Sequence, residues 1–246
     1  MTALSGKRAL VTGGSRGIGA GIALTLADHG ADVAISYERS ADRAAEVIQA
    51  IEGKGRRGIA IQADSADPVA VDRLVGEAVA KLGGLDILVN NAGIARINMT
   101  ADMSLADIDA LLSVNVRAVV LTSQAAMRHL GEGGRIVTIG SSVAERTQAA
   151  GVAVYAMTKS ALVGFTRGLA RELGPRDITA NLIQPGFTDT EMNPADAVHG
   201  DMLRALTPLG RYGMPEDIAA AVAFVASPAA RQITGATIAV DGGLNT

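Results

Sequence analysis

The chain has 246 residues, 48% of them hydrophobic and 19% charged, with a formal net charge of −3 and no cysteine. That length buries a substantial core, and the composition belongs to a folded globular protein rather than a disordered one. Disulfide and thiolate chemistry are excluded, and with no basic run or aromatic–basic interleaving neither nucleic acid nor a membrane surface is an expected partner.

The opening Met1-Thr2-Ala3-Leu4-Ser5-Gly6-Lys7 lacks a signal-peptide layout, and no apolar run reaches membrane-spanning length, so a cytoplasmic protein is expected. From there apolar β-type runs alternate with amphipathic helical stretches. Strands are predicted near 7–12, 32–37, 58–63, 85–90, 134–140, 178–184 and 236–240, and helices near 17–29, 40–53, 67–82, 104–130, 152–174 and 214–227. Val33-Ala34-Ile35, Ile87-Leu88-Val89 and Ile136-Val137-Thr138-Ile139 are runs of the kind found in strands covered on both faces. Repeated βα alternation with right-handed crossovers predicts an α/β fold, a doubly wound and mainly parallel sheet with helices on both faces. No linker or internal repeat divides residues 1–246, so one domain is expected. Ligands of such sheets lie beyond the carboxyl ends of the strands, where the strand order reverses. His29, His129 and His199 are scattered without ligand spacing, and no metal site is expected.

The first strand runs into Val11-Thr12-Gly13-Gly14-Ser15-Arg16-Gly17-Ile18-Gly19. A strand, a glycine turn and a helix N-terminus in that order form a phosphate site, because glycine lets backbone N–H groups approach an anion that the helix dipole also favours. The spacing is G-x-x-x-G-x-G, not the usual dinucleotide G-x-G-x-x-G. The second strand ends Ile35-Ser36-Tyr37-Glu38-Arg39-Ser40, with Ser36 where an acid for a ribose 2′-OH is often found. Arg39 and Arg16 suit a 2′-phosphate and favour NADP (NADPH), whereas Glu38 suits a free 2′-OH and keeps NAD possible. After the third strand, Asp67 or Ser65 can cap the next helix with Pro68 in its first turn, and Asp64 can accept from an adenine amino group. Asn90-Asn91-Ala92-Gly93 marks a close backbone approach or a plain strand-to-loop turn. Asn115 falls in a long helical stretch and Ser142 just past the fifth strand. Tyr155 and Lys159 are i,i+4 neighbours on one helix face, where an ammonium lowers a phenol's pKa toward proton-donor duty.

Together Thr12-Gly13 with Gly17 and Gly19, Asp64, Asn90–Gly93, Asn115, Ser142, Tyr155 with Lys159, Pro185-Gly186 with Thr188, and the closing Gly235–Gly243 stretch resemble the short-chain dehydrogenase/reductase family across almost the whole chain. The resemblance implies a Rossmann-type seven-stranded sheet and hydride transfer between a nicotinamide cofactor and a carbonyl or secondary alcohol. It implies Tyr155 as general acid/base and Lys159 as its pKa-lowering partner on the nicotinamide ribose. Ser142 is implied on the substrate oxygen, and Asn115 in a water-linked proton relay. The implied cofactor set is Gly13, Ser15, Arg16, Gly17, Ile18, Gly19, Tyr37, Arg39, Asp64, Ser65, Asn91, Ala92, Gly93, Tyr155, Lys159, Pro185, Gly186 and Thr188. The style is that of bacterial 3-oxoacyl-thioester and ketone reductases, with a substrate lid around 187–212 and a homotetrameric assembly. Asp189, Glu191 and Asp196 make the lid acidic, and a solvated face is the expectation for them. Arg135 and Arg176 are candidate contacts for an acidic carrier protein. A nucleotide- or dinucleotide-sensing binding protein and an NAD-dependent alcohol dehydrogenase are the alternatives.

Overall fold

The computed structural model describes residues 3–147 and 149–246; Met1 and Thr2 of the opening stretch lie outside them. The strands are β1 (Arg8–Val11), β2 (Asp32–Tyr37), β3 (Gly58–Gln62), β4 (Leu85–Asn90), β5 (Leu130–Ile139), β6 (Thr179–Pro185) and β7 (Thr237–Val240). They form one sheet in the order β3-β2-β1-β4-β5-β6-β7, and every pairing in it is parallel. Helices α1 (Gly17–Asp28), α2 (Ala41–Gly53), α3 (Pro68–Leu82), α4 (Leu105–Leu112), α5 (Ala118–Met127), α6 (Ala153–Leu173), α7 (Gly200–Leu206) and α8 (Pro215–Ala226) connect the strands or follow them. None of these helices, among the described residues, is long and apolar enough to cross a membrane.

The pleat sends successive side chains to opposite faces, and helices cover both, so the middles of the central strands are apolar at successive positions. Val11, Val33, Ile35, Val89 and Ile183 join Ile22 and Leu26 of α1 and Val222 and Val225 of α8 in one core. Leu10, Ala34, Leu88 and Ile136 join Leu74 and Val75 of α3 and Leu169 and Leu173 of α6 in the other. The predicted start of α3 holds: Asp67 Oδ1 accepts from Val69 N at 2.9 Å, with Pro68 as the first helical residue.

Between 104 and 130 the structure departs from the single helix expected. A π-helical turn, Ser113–Arg117, separates α4 from α5, and β5 begins at Leu130 rather than 134. Apolar periodicity runs through the π turn, so nothing local marks it. The early start of β5 is long-range: Leu130 pairs with Leu85 before the register shifts to Ile87 and Arg135. Arg135 is buried and donates to Gly133 O and Gly134 O at 2.8 and 3.0 Å. Arg176 donates to Met127 O and Leu130 O at 3.0 and 2.6 Å. Both guanidiniums secure the irregular start of β5, and burial takes Arg135, expected at the surface as a carrier-protein contact, out of reach of a partner. The short α7 inside the expected lid is a further element that periodicity does not reveal.

Candidate active site

β1 and β4 are neighbours whose connections leave in opposite directions, to β2 and to β5, so the cleft beyond their carboxyl ends is the switch point of the sheet. The two chain exits are tied together there. Thr12 Oγ1 accepts from Asn91 N and Ala92 N at 2.9 and 3.0 Å, and Asn91 Nδ2 donates to Thr12 O and Gly13 O at 2.9 and 3.0 Å. Ser36 proves to be a brace: its buried hydroxyl accepts from Gly13 N at 3.0 Å and its carbonyl from Gly14 N at 2.9 Å. A Cβ on Gly19 would lie 2.3 Å from Gly13 O and 2.4 Å from Asn91 Nδ2, so the turn closes onto α1 only with glycine there. Arg16, the N-cap residue, is extended at φ −160° and makes no side-chain cap, which leaves the first-turn amides of α1 facing the cleft. A tight turn, an uncapped helix start and a cradle that side chains would fill fit the pyrophosphate of a dinucleotide.

At the end of β2 the expected pair of guanidiniums is rearranged. Arg39 is 88% exposed and pairs with its neighbour Glu38 at 2.7 Å. Arg16 instead shares the cleft with Arg43, in the first turn of α2, and both pair with Glu191 of the lid. Arg43 went unnoticed in the sequence, although a helix beginning just after β2 puts its first turn near this edge. Tyr37 packs against the α1–α8 core. Asp64 Oδ1 accepts from Ala66 N at 2.7 Å, and Ser65 lines a small cavity with Thr12, Asn90 and Ala92.

On the other side of the switch point, α6 carries Tyr155 and Lys159 one turn apart. Lys159 is 6% exposed, donates to Ile139 O at 3.1 Å, and places its Nζ 6.0 Å from the Tyr155 ring centre. Burial pulls its ammonium down from 10.5 to about 8. The Tyr155 phenol lies above its ordinary value because burial outweighs the lowering by the Ser141 hydroxyl, and Lys159 does not lower it. Asn115 is buried in the π turn. It donates to Ile94 O and Thr158 Oγ1 at 2.9 and 3.1 Å and accepts from Ile94 N at 2.9 Å. Thr158 in turn donates to Tyr155 O at 2.7 Å, which joins Asn115 to the turn of α6 between Tyr155 and Lys159. A Cβ on Gly93 would stand 3.4 Å from both Asn115 Oδ1 and Lys159 Nζ, so these three residues converge.

The family model described as enoyl-(acyl carrier protein) reductase matches residues 13–245. The chain belongs to the short-chain dehydrogenase/reductase family. A short-chain dehydrogenase from Burkholderia cenocepacia, solved in complex with NADP, is 60% identical, with 99% of this chain and 100% of that one covered at a TM-score of 0.98. A cyclic-di-GMP-binding biofilm dispersal mediator protein of Escherichia coli is 44% identical, with 98% of each chain covered. A 3-oxoacyl-[acyl-carrier-protein] reductase of Synechocystis is 40% identical, with 99% of each covered.

In this short-chain dehydrogenase/reductase two adjacent serines open the loop from β5 to α6. Ser142 is buried, opens the 3-10 turn Ser142–Ala144, and uses its carbonyl to accept from Asn245 Nδ2 at 2.8 Å. Ser141, extended at φ −167°, accepts from Val143 N at 3.4 Å through its hydroxyl, which also lowers the Tyr155 phenol by less than burial raises it. The adjacent serines are visible in the sequence, but which one faces the cleft depends on how the loop to α6 leaves β5.

Pro185 closes β6 opposite Val240, Gly186 N donates to Val240 O at 3.1 Å, and the buried Thr188 donates to Gly186 O at 3.2 Å. A Cβ on Gly186 would sit 2.7 Å from Asp241 Cα. Beyond them, the acidic lid residues serve structure rather than solvent alone. Asp189 accepts from Ala195 N at 2.9 Å, and Glu191 reaches across to the arginine pair.

Proposed function

We propose that the protein is an NADP-preferring reductase of a ketone or 3-oxoacyl-type carbonyl, with Tyr155 as general acid/base. The observation that carries this reading is the convergence of Tyr155, Lys159, Asn115 and a serine hydroxyl beside the glycine cradle. NADPH, when bound, supplies the hydride. The chain's own residues do the rest. Tyr155 passes its phenolic proton to the substrate oxygen, and the Lys159 ammonium stabilises the phenolate that remains. Ser142 donates to the same oxygen as negative charge develops on it, with Ser141 beside it. Asn115, through Thr158, positions the first turns of α6. Gly13–Gly19, Asn91–Gly93 and Pro185–Thr188 hold the cofactor along the strand ends.

The two guanidiniums of the cleft support the 2′-phosphate, as do the NADP complex of the Burkholderia relative and the activity named for the Synechocystis one. Exposed Leu112, Val120 and Met157 around α4–α6, with Phe224 on α8, support a homotetramer. Titration followed by nicotinamide fluorescence, in a chain without tryptophan, tests the cofactor: NADPH is expected to bind at least about tenfold more tightly than NADH, a difference of about 1.4 kcal/mol. Preference for NADH would hand the pocket to Glu38. A screen with ketones and 3-oxoacyl thioesters then reads turnover. The name of the Escherichia coli relative favours a second reading, a nucleotide-sensing protein on this scaffold. Binding with no turnover of any carbonyl would support it.

The serine assignment has its own test. Ser142→Ala is expected to lower kcat by about 10²–10³, the usual loss for one oxyanion donor, and Ser141→Ala to change it only a few-fold. The reverse ranking would move the role to Ser141.

A further inference from the structure

Glu191 stands at the tip of the lid. Asn193 N donates to Thr190 O at 3.0 Å and Thr190 N to Asn193 O at 3.4 Å, a tight turn that leaves Glu191 and Met192 at its corners. From that tip one Glu191 carboxylate oxygen accepts from Arg16 Nη1 at 3.1 Å, and the other pairs with Arg43. The lid also lies on the glycine turn itself, since a Cβ on Gly17 would stand 3.4 Å from Thr190 Cγ2. Arg16, Arg43 and Glu191 line one open cleft, with Glu46 on its rim as a second carboxylate. Two guanidiniums converging on one anion beside a dinucleotide cradle form a phosphate-type grip, and here a carboxylate of the same chain fills it.

The exposures decide how firmly it is held. The side chains of Arg16, Arg43 and Glu191 are 57%, 49% and 47% exposed, so both ion pairs belong to the weak, water-screened class. A phosphate dianion with three acceptor oxygens outcompetes a carboxylate for the same two forks. We propose that Glu191 competes with the cofactor's 2′-phosphate for the grip of Arg16 and Arg43, so that NADP releases the lid tip and NAD leaves it latched. This rests on the NADP reading above. It makes Arg43 a residue that selects the cofactor, and Glu191 the residue that limits how strongly it does so.

The test is calorimetric titration of the full chain with adenosine 2′,5′-bisphosphate and adenosine 5′-monophosphate, which differ only in the 2′-phosphate. Glu191→Gln is expected to tighten the bisphosphate by about three- to tenfold, the scale of two exposed ion pairs, and to leave the monophosphate unchanged. Arg43→Gln is expected to weaken the bisphosphate alone. In the wild type, the bisphosphate and not the monophosphate is expected to speed cleavage after Glu191 by a glutamate-specific protease. Unchanged or weaker bisphosphate binding by Glu191→Gln, or equal protection of Glu191 by both nucleotides, would overturn the latch. An unaffected bisphosphate affinity in Arg43→Gln would remove Arg43 from the site. A wild type that binds both nucleotides equally would overturn the NADP reading, and the latch with it.

Discussion

Tyr155→Phe is expected to lower carbonyl reduction by about 10²–10⁴-fold in kcat, the range for loss of a positioned proton donor. NADPH binding is expected to stay near the wild-type level. The substitution removes one oxygen and keeps the ring, which stays in place on α6 beside Lys159. Single-turnover absorbance with a ketone, alongside fluorescence titration of NADPH, separates the chemical step from binding. The fold should tolerate the change, because the phenol sits above its ordinary pKa through burial and has Ser141 as its hydrogen-bond partner. Turnover retained in Tyr155→Phe would place the proton donor elsewhere and end the assignment.

Lys159→Met is expected to lose comparable activity while making the protein more stable at neutral pH. The buried ammonium titrates at about 8, below its ordinary 10.5. A lysine lowered on folding destabilises the native state in full below the folded value, and the cost fades as pH rises toward the unfolded value. Here that cost is about 3 kcal/mol below pH 8, on a scale of about 1.4 kcal/mol per pH unit. Methionine keeps the stem and removes the charge, at the expense of the bond to Ile139 O, which offsets about 1–2 kcal/mol of the gain. A rise in Tm of about 2–5 °C at pH 7 follows for a chain of this size. The wild-type gain in stability between pH 8 and 10.5 should disappear in the variant. Wild-type kcat/KM should fall above about pH 8, as the cation that stabilises the phenolate is lost. A lower Tm for Lys159→Met at pH 7 would show that the ammonium stabilises the fold, contrary to this account.

On the proposed mechanism activity and stability therefore oppose each other at one residue: the lysine proposed to stabilise the phenolate is also a charge the core holds at a cost.

The features legible from sequence alone are those set by neighbours a few residues apart. Apolar runs predicted the seven strands because a doubly covered strand is apolar at each position, whatever pairs with it. Asp67 with Pro68 predicted the start of α3, Gly13–Gly19 the phosphate turn, and Tyr155 with Lys159 a shared helix face, because caps, turns and i,i+4 pairs are local. The tertiary structure decided what depends on chain segments far apart. The bond between Arg16 and Glu191 spans 175 positions, and no local pattern ties a lid carboxylate to a β1 turn. Arg43 lies beside Arg16 because α2 turns its first residues toward the cleft, while Arg39 pairs with Glu38. Arg135 became a buried brace because β5 starts early against Leu85. The partners of Ser141 and Ser142 were set by the packed loop after β5, whose contacts come from Asn245 and α6. Residue types and their spacing determined the chemistry available to this protein; which side chains meet was decided by packing across the sheet edge.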